Sequence, residues 1–199
     1  MAHNPILDTV FTSHELSGKS RQYEDIFPEP PVGKRLLDIG CSVGYYLMRA
    51  ALEGAESILG IDIAEASISK ANTVVGVLGC KNARFLVNTA SSLYCFHGEV
   101  DITLCLNVLH HLSDIHVIKR VLCNINKLTT ERMVFITSKP KDGKPWSRKG
   151  QLRGRMALAP EYFMGLFPHY HIIARDNVPS GKRYLIDIRK KYDATNTSI

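Results

Sequence analysis

Short apolar runs alternate with amphipathic segments along the middle of the chain. The runs are bounded by glycine or polar residues, which is typical of buried strands, and they lie at 35–39, 57–61, 83–87, 100–106 and 133–137. The segments between them predict helices at 45–53, 64–78 and 113–125. In the helix at 64–78, we expect a buried face made by Ala64, Ile68, Ala71, Val75 and Leu78. In the helix at 113–125, we expect Ser113 to be the N-terminal cap. Strands that alternate with helices predict parallel βαβ units.

The end of the chain departs from this alternation. Residues 171–175 and 183–189 are predicted strands joined directly by a turn at 179–181. A hairpin that closes a parallel sheet makes one strand antiparallel. The sequence therefore predicts an α/β fold with a doubly wound, mostly parallel seven-stranded sheet and a terminal antiparallel strand. Residues 1–33 are predicted to form an N-terminal arm or cap, with a short helix near 18–26, before a domain at 34–199.

Length and composition restrict the class of protein. The 199 residues suffice for one domain with a real core. No apolar run approaches the roughly 18 residues that cross a bilayer, and no basic stretch leads into an apolar signal region, so we expect a cytoplasmic protein without a membrane partner. The five cysteines are widely spaced and lack the usual zinc-ligand spacing, so no metal site is predicted.

The positive charge is concentrated in one segment. The chain carries a formal charge of +6, and residues 139–155 account for all of it, with seven basic residues against Asp142. The basic residues are Lys139, Lys141, Lys144, Arg148, Lys149, Arg153 and Arg155. Together with Trp146 they are suited to hold phosphates and stack a base, so the sequence predicts an anionic acceptor, with RNA among the candidates. A solvated loop is the alternative.

The first predicted strand runs directly into a glycine-containing turn. The turn spells Leu37-Asp-Ile-Gly-Cys-Ser-Val-Gly44, and Asp62 closes the second strand. In a doubly wound sheet ligands bind at the carboxyl ends of the strands, where glycine permits close approach and an acid can accept ribose hydroxyl hydrogen bonds. The dinucleotide pattern G-x-G-x-x-G fails, because Ser42 and Tyr45 replace its second and third glycines. This argues against a nicotinamide oxidoreductase and favours a nucleoside without a bound pyrophosphate.

The turn Asp38-Ile-Gly-Cys-Ser-Val-Gly44 is similar to the first motif, D-x-G-C-G-x-G, of the class I S-adenosylmethionine (SAM) dependent methyltransferases. The resemblance covers residues 34–189 in element order, including the terminal strand pair. It implies that SAM is the cofactor and that methyl transfer is the activity. The cofactor-binding residues that it implies are Asp38, Gly40, Cys41, Ser42, Gly44, Tyr45, Asp62, Ile63, Asn88, Thr89, Ala90 and Asn107.

The resemblance also assigns roles within that set. The glycine-containing turn would surround the methionine half of SAM, and Asp38 would support either that turn or the amino group of the cofactor. Asp62 would hold the ribose, and Ile63 would lie against the adenine. Asn88-Thr-Ala90 resembles the adenine motif G-D-A. Either Tyr45 or Tyr46 would cover the cofactor, with core packing as the alternative.

Two segments are expected to complete the site. Residues 106–112 resemble the family's S/N-x-L-H-H-L segment, which lines the methyl-transfer site. His110 and His111 are therefore the candidate catalytic residues, as a general base, and we expect the two adjacent rings to point in different directions. The alternative is catalysis by positioning alone. In the arm, Arg21 would pair with the cofactor carboxylate, together with Lys19 and Tyr23, unless these side chains stay solvated.

Two positions depart from the family pattern. Ser42 replaces the middle glycine of the turn, which is tolerable at negative φ, and Thr89 replaces the adenine-facing acid. They leave three hypotheses open: a methyltransferase acting on an anionic small molecule, sugar or nucleotide; an RNA-modifying methyltransferase; or a catalytically silent SAM-fold binding protein. Residues 54–62 have a more distant similarity to the carboxymethyltransferases of the tRNA wobble uridine. That subgroup has L-Y-H-R where this chain has Leu109-His-His-Leu112.

Overall fold

The computed structural model of the chain describes residues 5–96, 98–112, 114–140, 146–149, 155–176 and 182–190. Its contacts divide the chain into two compact units, Met1–Cys95 and Phe96–Ile199.

The first unit begins with three short helices and continues as alternating strands and helices. The helices are α1 (Pro5–Asp8), α2 (Ser13–Leu16), α3 (Lys19–Ile26), α4 (Tyr45–Leu52) and α5 (Glu65–Leu78). The strands are β1 (Arg35–Ile39), β2 (Ser57–Asp62) and β3 (Ala83–Val87), and a 3-10 helix follows at Ala90–Cys95. β2 pairs in parallel with both β1 and β3, with Ile61 opposite Ile39 and Asp62 opposite Val87. The carboxyl ends of these strands therefore meet at one edge.

The second unit contains the remaining elements. The strands are β4 (Val100–Leu106), β5 (Thr129–Ser138), β6 (Trp146–Lys149), β7 (Arg155–Leu158), β8 (His171–Asp176) and β9 (Arg183–Arg189). The helices are α6 (Ile115–Leu128) and α7 (Pro160–Leu166), and a 3-10 turn covers Leu109–His111. β4 and β5 are parallel, whereas β9 is antiparallel to both β5 and β8. β6 and β7 form a separate antiparallel pair, called the ribbon below.

The predicted fold class is confirmed. Seven strands belong to the main sheet, in the order β3-β2-β1 in the first unit and β4-β5-β9-β8 in the second, and the strand that closes the chain is the antiparallel one. The sequence did not predict the ribbon or α7. Both are short, and apolar periodicity is a weak signal over so few residues.

Two details of the predicted helices are corrected. On α5 the buried residues are Ile68, Ala71 and Val74. Of the other residues of the predicted face, Ala64 is exposed at the N-cap, and Val75 and Leu78 are only partly covered. The cap of α6 is Asp114, whose carboxylate accepts a hydrogen bond of 2.7 Å from the backbone N–H of His116. Ser113, the predicted cap, lies outside the described residues.

The N-terminal arm packs as part of the first unit. The predicted helix near 18–26 is present as α3, and α1 and α2 precede it. Five apolar side chains of this region are almost completely buried: Leu7, Phe11, Tyr23, Ile26 and Phe27. Burial of this much apolar surface gives the arm a fixed position.

Within the described part of the chain, none of the helices has the length and apolarity needed to cross a membrane.

Candidate cofactor site

The turn between β1 and α4 is held against the end of β2 by backbone hydrogen bonds. The N–H groups of Gly40 and Cys41 both donate to the carbonyl of Ile61, at 2.7 and 3.0 Å, and Gly44 donates to the carbonyl of Cys41 at 2.9 Å. Gly40 and Gly44 have φ of 75° and 81°, a region that other residues rarely adopt. The glycines therefore permit the tight bend that the sequence predicts here.

The aromatic ring of Phe85, on β3, packs under this turn. A Cβ atom added at Gly44 would lie 2.7 Å from the ring, and one added at Gly60 would lie 2.4 Å from it. Gly60 is in the middle of β2, and its Cβ would also come within 2.8 Å of the Cys41 sulfur. The sequence alone does not reveal Gly60 and Phe85 as site residues, because only the pairing of β2 with β3 brings them beside the turn.

Ser42 has φ of 52°, so the expectation of negative φ at this position is wrong. The left-handed region costs a non-glycine residue roughly 1–2 kcal/mol. The Ser42 N–H donates to Oδ2 of Asp62 at 2.8 Å, which holds the serine in this conformation.

Asp62 lies where the sequence places it, at the end of β2. Its Oδ2 receives the Ser42 N–H, and its Oδ1 receives the N–H of Ala64 at 2.9 Å. A carboxylate has about four acceptor positions, so both oxygens can still accept from a ligand hydroxyl. The next residue, Ile63, is 75% exposed and offers an apolar surface beside the carboxylate. Together these residues can hold a ribose and cover one face of an aromatic base.

Asp38 is the most unusual group of the first unit. Its side chain is 1% exposed, and Oδ1 accepts no hydrogen bond from any residue that the structure describes. Burial and, after it, the negative charge of Asp62 raise the pKa of Asp38 to about 7, although the positive charge of Lys19 opposes the shift. A buried carboxyl with an unsatisfied oxygen is suited to bind a cationic ligand group.

Lys19 is the cation of the arm that acts on this carboxyl. Burial lowers the pKa of its ammonium group, while the charges of Glu15 and Asp38 act to raise it. The ammonium also lies 5.7 Å from the centre of the Tyr45 ring. Arg21 is exposed, so its predicted contact with the cofactor carboxylate stays a prediction.

Tyr45 and Cys41 are buried against protein. The Tyr45 ring meets Phe11 and Tyr46 edge-on, with centroids 5.6 and 5.5 Å away, which agrees with the core-packing alternative. The Cys41 sulfur lies 3.6 Å from the carbonyl oxygen of Ser42, and burial raises the pKa of its thiol well above the usual range. Tyr45 is buried where the turn enters α4 and Cys41 within the turn itself, so both contribute to its shape.

The predicted adenine segment forms a turn that follows β3. The Asn88 N–H donates to the carbonyl of Asp62 at 2.9 Å, and its side-chain oxygen accepts from the N–H of Thr89 at 2.8 Å. The Thr89 oxygen accepts from the N–H of Ser91 at 3.3 Å, so its hydroxyl proton remains available to a ligand. Ala90 is buried at the start of the 3-10 helix. The register of β2 and β3 brings this segment to Asp62.

Asn107, His110 and His111 belong to the second unit. Asn107 has φ of 63°, and its Oδ1 is buried without a hydrogen bond from any described residue. His110 is buried and His111 is exposed. The expectation that the two rings point apart is wrong, because their centroids are 4.1 Å apart with the planes inclined by 38°. The described residues contain no cluster of side chains suited to hold a metal ion.

The basic segment is only partly described. Residues 141–145 and 150–154 lie outside the described residues. The ribbon formed by 146–149 and 155–158 contacts the 3-10 turn of His110 and His111 through β7, and Thr137 donates to the carbonyl of Leu158 at 2.9 Å. At the start of the segment, Lys139 forms an ion pair of 2.5 Å with Asp176.

Comparison with known proteins places the chain in a family. A family described as a methyltransferase domain matches residues 31–179. Ubiquinone biosynthesis O-methyltransferase of Neisseria meningitidis serogroup C is 26% identical over 137 residues, or 68% of this chain and 54% of that protein. The tRNA U34 carboxymethyltransferase of Photorhabdus laumondii is 27% identical over 128 residues, or 62% of this chain and 40% of that protein. The chain thus spans about half the length of the curated relatives it matches.

A solved structure shares the fold. Magnesium protoporphyrin IX methyltransferase from Synechocystis PCC 6803, with S-adenosylhomocysteine (SAH) bound, superposes with a TM-score of 0.67 at 16% identity, covering 96% of this chain and 90% of that one. The family match covers most of the chain and agrees with the sheet order and the turn after β1. The chain therefore belongs to the methyltransferase-domain family, and with it to the class I SAM-dependent methyltransferases.

Proposed function

We propose that this chain binds SAM at the carboxyl ends of β1–β3 and transfers its methyl group to an anionic acceptor. The buried Asp38, with its unsatisfied Oδ1, is the observation that carries the cofactor assignment. The described side chains around it match the parts of SAM in chemical type. Asp38 suits the ammonium group, Lys19 the carboxylate and Asp62 the ribose hydroxyls, while Ile63 and Thr89 suit the adenine.

The residues of the chain contribute mainly positioning. When bound, SAM supplies an electrophilic methyl group on a sulfonium with a neutral leaving group. Holding two reactants in line can account for much of the rate of such a transfer. His111 is the exposed member of the histidine pair and can accept a proton from an acceptor, whereas His110 is buried. A base is needed only if the acceptor loses its proton before or during transfer.

The charge of the second unit supports an anionic acceptor. Residues 96–199 contain 17 basic and 9 acidic side chains. The ribbon carries part of this excess and packs on the turn of the two histidines. The relatives differ in acceptor, since one is named for ubiquinone biosynthesis and another for tRNA U34. An RNA acceptor is the second candidate, favoured by the number of cations in and around the ribbon, because each phosphate contact releases counterions.

A binding experiment tests the cofactor assignment. Isothermal titration of the full chain with SAH should give one site per chain, and saturating SAH should raise the melting temperature. Asp62→Ala should weaken SAH at least tenfold, because it removes the ribose acceptor and the support of Ser42. Glu56→Ala is the matched control, since Glu56 is an exposed acid at the opposite end of β2 and its loss should leave SAH binding unchanged.

Three outcomes separate the hypotheses. SAH binding with methyl transfer to a screened acceptor supports the enzyme. SAH binding without turnover on small anions or RNA, at low and high salt, supports a silent binding protein. Well-folded protein that gives no heat with SAH contradicts the cofactor site itself.

A further inference from the structure

Helices α2 and α3, residues 13–26, form a strap that runs between α4 and α5. Polar contacts attach it at two separate points, and Lys19 lies between them. The same segment also contacts the first turn of α4, because the Tyr46 hydroxyl donates to the side-chain oxygen of Gln22. The strap therefore lies beside the start of α4, which directly follows the turn that we assign to the methionine half of the cofactor.

The first attachment is a buried arginine. Arg49, on α4, is 1% exposed, and its guanidinium lies 4.2 Å from the centre of the Tyr23 ring. It donates to the hydroxyl of Ser20 at 3.1 Å and to Glu53 at 3.0 Å. The Tyr23 hydroxyl donates to the other oxygen of Glu53 at 2.7 Å. This network joins α3 to α4, and its planar, multidentate geometry fixes orientation as well as distance.

The second attachment is an ion pair between α2 and α5. The Lys70 ammonium donates to both carboxylate oxygens of Glu15, at 2.6 and 2.7 Å. Glu15 also accepts a hydrogen bond from the backbone N–H of Thr12 at 2.7 Å, so a capping box fixes the N-terminus of α2. The hydrogen bond from Lys70 holds the pKa of Glu15 at about 2, and the pair therefore persists throughout the physiological pH range.

Lys19 depends on both attachments for its position. It is the first residue of α3, directly after Gly18, whose φ of 72° makes a bend between the two helices. A lysine side chain is flexible, so the backbone that carries it determines where its charge can reach. Because α2 is bound to α5 and α3 is bound to α4, the Lys19 ammonium lies beside the Tyr45 ring. From there its charge acts on the pKa of Asp38.

We infer that the Arg49 network and the Glu15–Lys70 pair are positioning elements of the cofactor site, which hold Lys19 so that the chain selects nucleosides carrying an amino-acid carboxylate. This inference rests on the proposed SAM site. It predicts that the strap matters only for ligands with the amino-acid end, and that the adenosine part binds without it.

Two ligands separate this role from a merely structural one. SAH contains the amino-acid end, and 5′-methylthioadenosine lacks it. Lys19→Met should weaken SAH about tenfold or more, as expected for a lost charge-assisted hydrogen bond, and leave 5′-methylthioadenosine unchanged. Glu15→Gln and Lys70→Gln should each weaken SAH about threefold, and the double variant no more than either single one, because the two residues act as a pair.

The controls use charges of the same unit outside the strap. Glu65→Gln and Lys81→Gln remove exposed charges on and beside α5 and should leave both affinities unchanged. Arg49→Lys keeps the charge but loses the multidentate contacts, so a folded variant should weaken SAH selectively. Melting temperatures identify any variant that fails to fold.

The results distinguish failure of this inference from failure of the cofactor assignment. If SAH binds but the strap variants leave its affinity unchanged, or weaken both ligands equally, the positioning role is wrong. If neither ligand binds to the unchanged protein, the cofactor site itself is wrong.

Discussion

The two units of the chain differ in charge and in where their polar groups lie. Residues 1–95 carry 8 basic and 10 acidic side chains, whereas residues 96–199 carry 17 basic and 9 acidic ones. In the first unit the important polar groups are buried or bonded to backbone, as with Asp38, Arg49 and Asp62. In the second, the excess charge is concentrated around a two-stranded ribbon. Under the proposed function, the first unit recognises one ligand by shape, and the second binds an anion by charge.

If the first unit depends on close packing, filling the space at Gly60 should have the largest effect. Gly60→Ala places a Cβ 2.4 Å from the ring of the buried Phe85, and we expect a loss of about 3 kcal/mol in the free energy of unfolding. Urea denaturation measures it. Gly76→Ala, in a helix with open space around the added atom, should instead stabilise by roughly 0.5–1 kcal/mol.

A double variant tests the cause of that loss. Phe85→Leu combined with Gly60→Ala should lose less than the sum of the two single changes, because the smaller side chain relieves the contact. Strict additivity would show that the ring is not what limits the size of residue 60.

The buried Asp38 should make the stability of the free protein depend on pH. Its pKa is about 7 in the folded chain, against an ordinary value of 3.8 for an aspartate, so between these values the folded state holds a proton that the unfolded state releases. Protonation of Asp38 therefore adds to the free energy of unfolding at low pH, and this contribution is lost as the pH rises toward 7. Relative to Asp38→Asn, the unchanged protein should lose about 2–3 kcal/mol between pH 5 and pH 7, measured by urea denaturation.

Ligand binding should show the opposite dependence on pH. A cofactor ammonium prefers ionised Asp38, so SAH affinity should rise as pH increases from 6 to 8, by up to about tenfold per unit below pH 7. Asp38→Asn should remove this slope. An unchanged slope in the variant would assign the titration to another group.

The affinity of the second unit for an anion should depend on salt concentration, whereas the dependence on pH belongs to the first unit. Binding of a fluorescein-labelled single-stranded RNA should weaken steeply with salt, and Arg148→Gln, Lys149→Gln and Arg155→Gln together should lower the logarithmic slope by about 2. Lys119→Gln, Arg120→Gln and Lys127→Gln remove the same charge from α6 and should have little effect. Equal effects of the two sets would mean that total charge, not the ribbon, attracts the anion.

The smallest expected effect is at Ser42. Ser42→Gly removes a side chain held at φ of 52°, so we expect a gain of about 1 kcal/mol in the free energy of unfolding with SAH affinity unchanged. Calorimetric melting measures it. Destabilisation would indicate that the serine side chain makes a contact that outweighs its backbone strain.

Most strands and the glycine-containing turn after β1 were predictable from the local pattern of apolar, polar and glycine residues. The apolar runs that predict β1–β4 begin and end within one residue of the observed strands, because a buried parallel strand has few polar positions. The packed arm was harder to foresee. Its residues 1–33 are mostly polar, and the burial of Phe11 and Tyr23 follows from contacts with α4 that no local period reveals.

The sequence by itself determined the order of strands and helices, the turn from Asp38 to Gly44 and the acid at the end of β2. These follow from local periodicity and from residues whose spacing along the chain is their signal. Only the tertiary structure decided that Phe85 limits the size of residues 44 and 60, that Lys19 acts on Asp38, and that Ser42 is left-handed. These depend on distances between residues far apart in sequence, which strand pairing and helix packing alone determine.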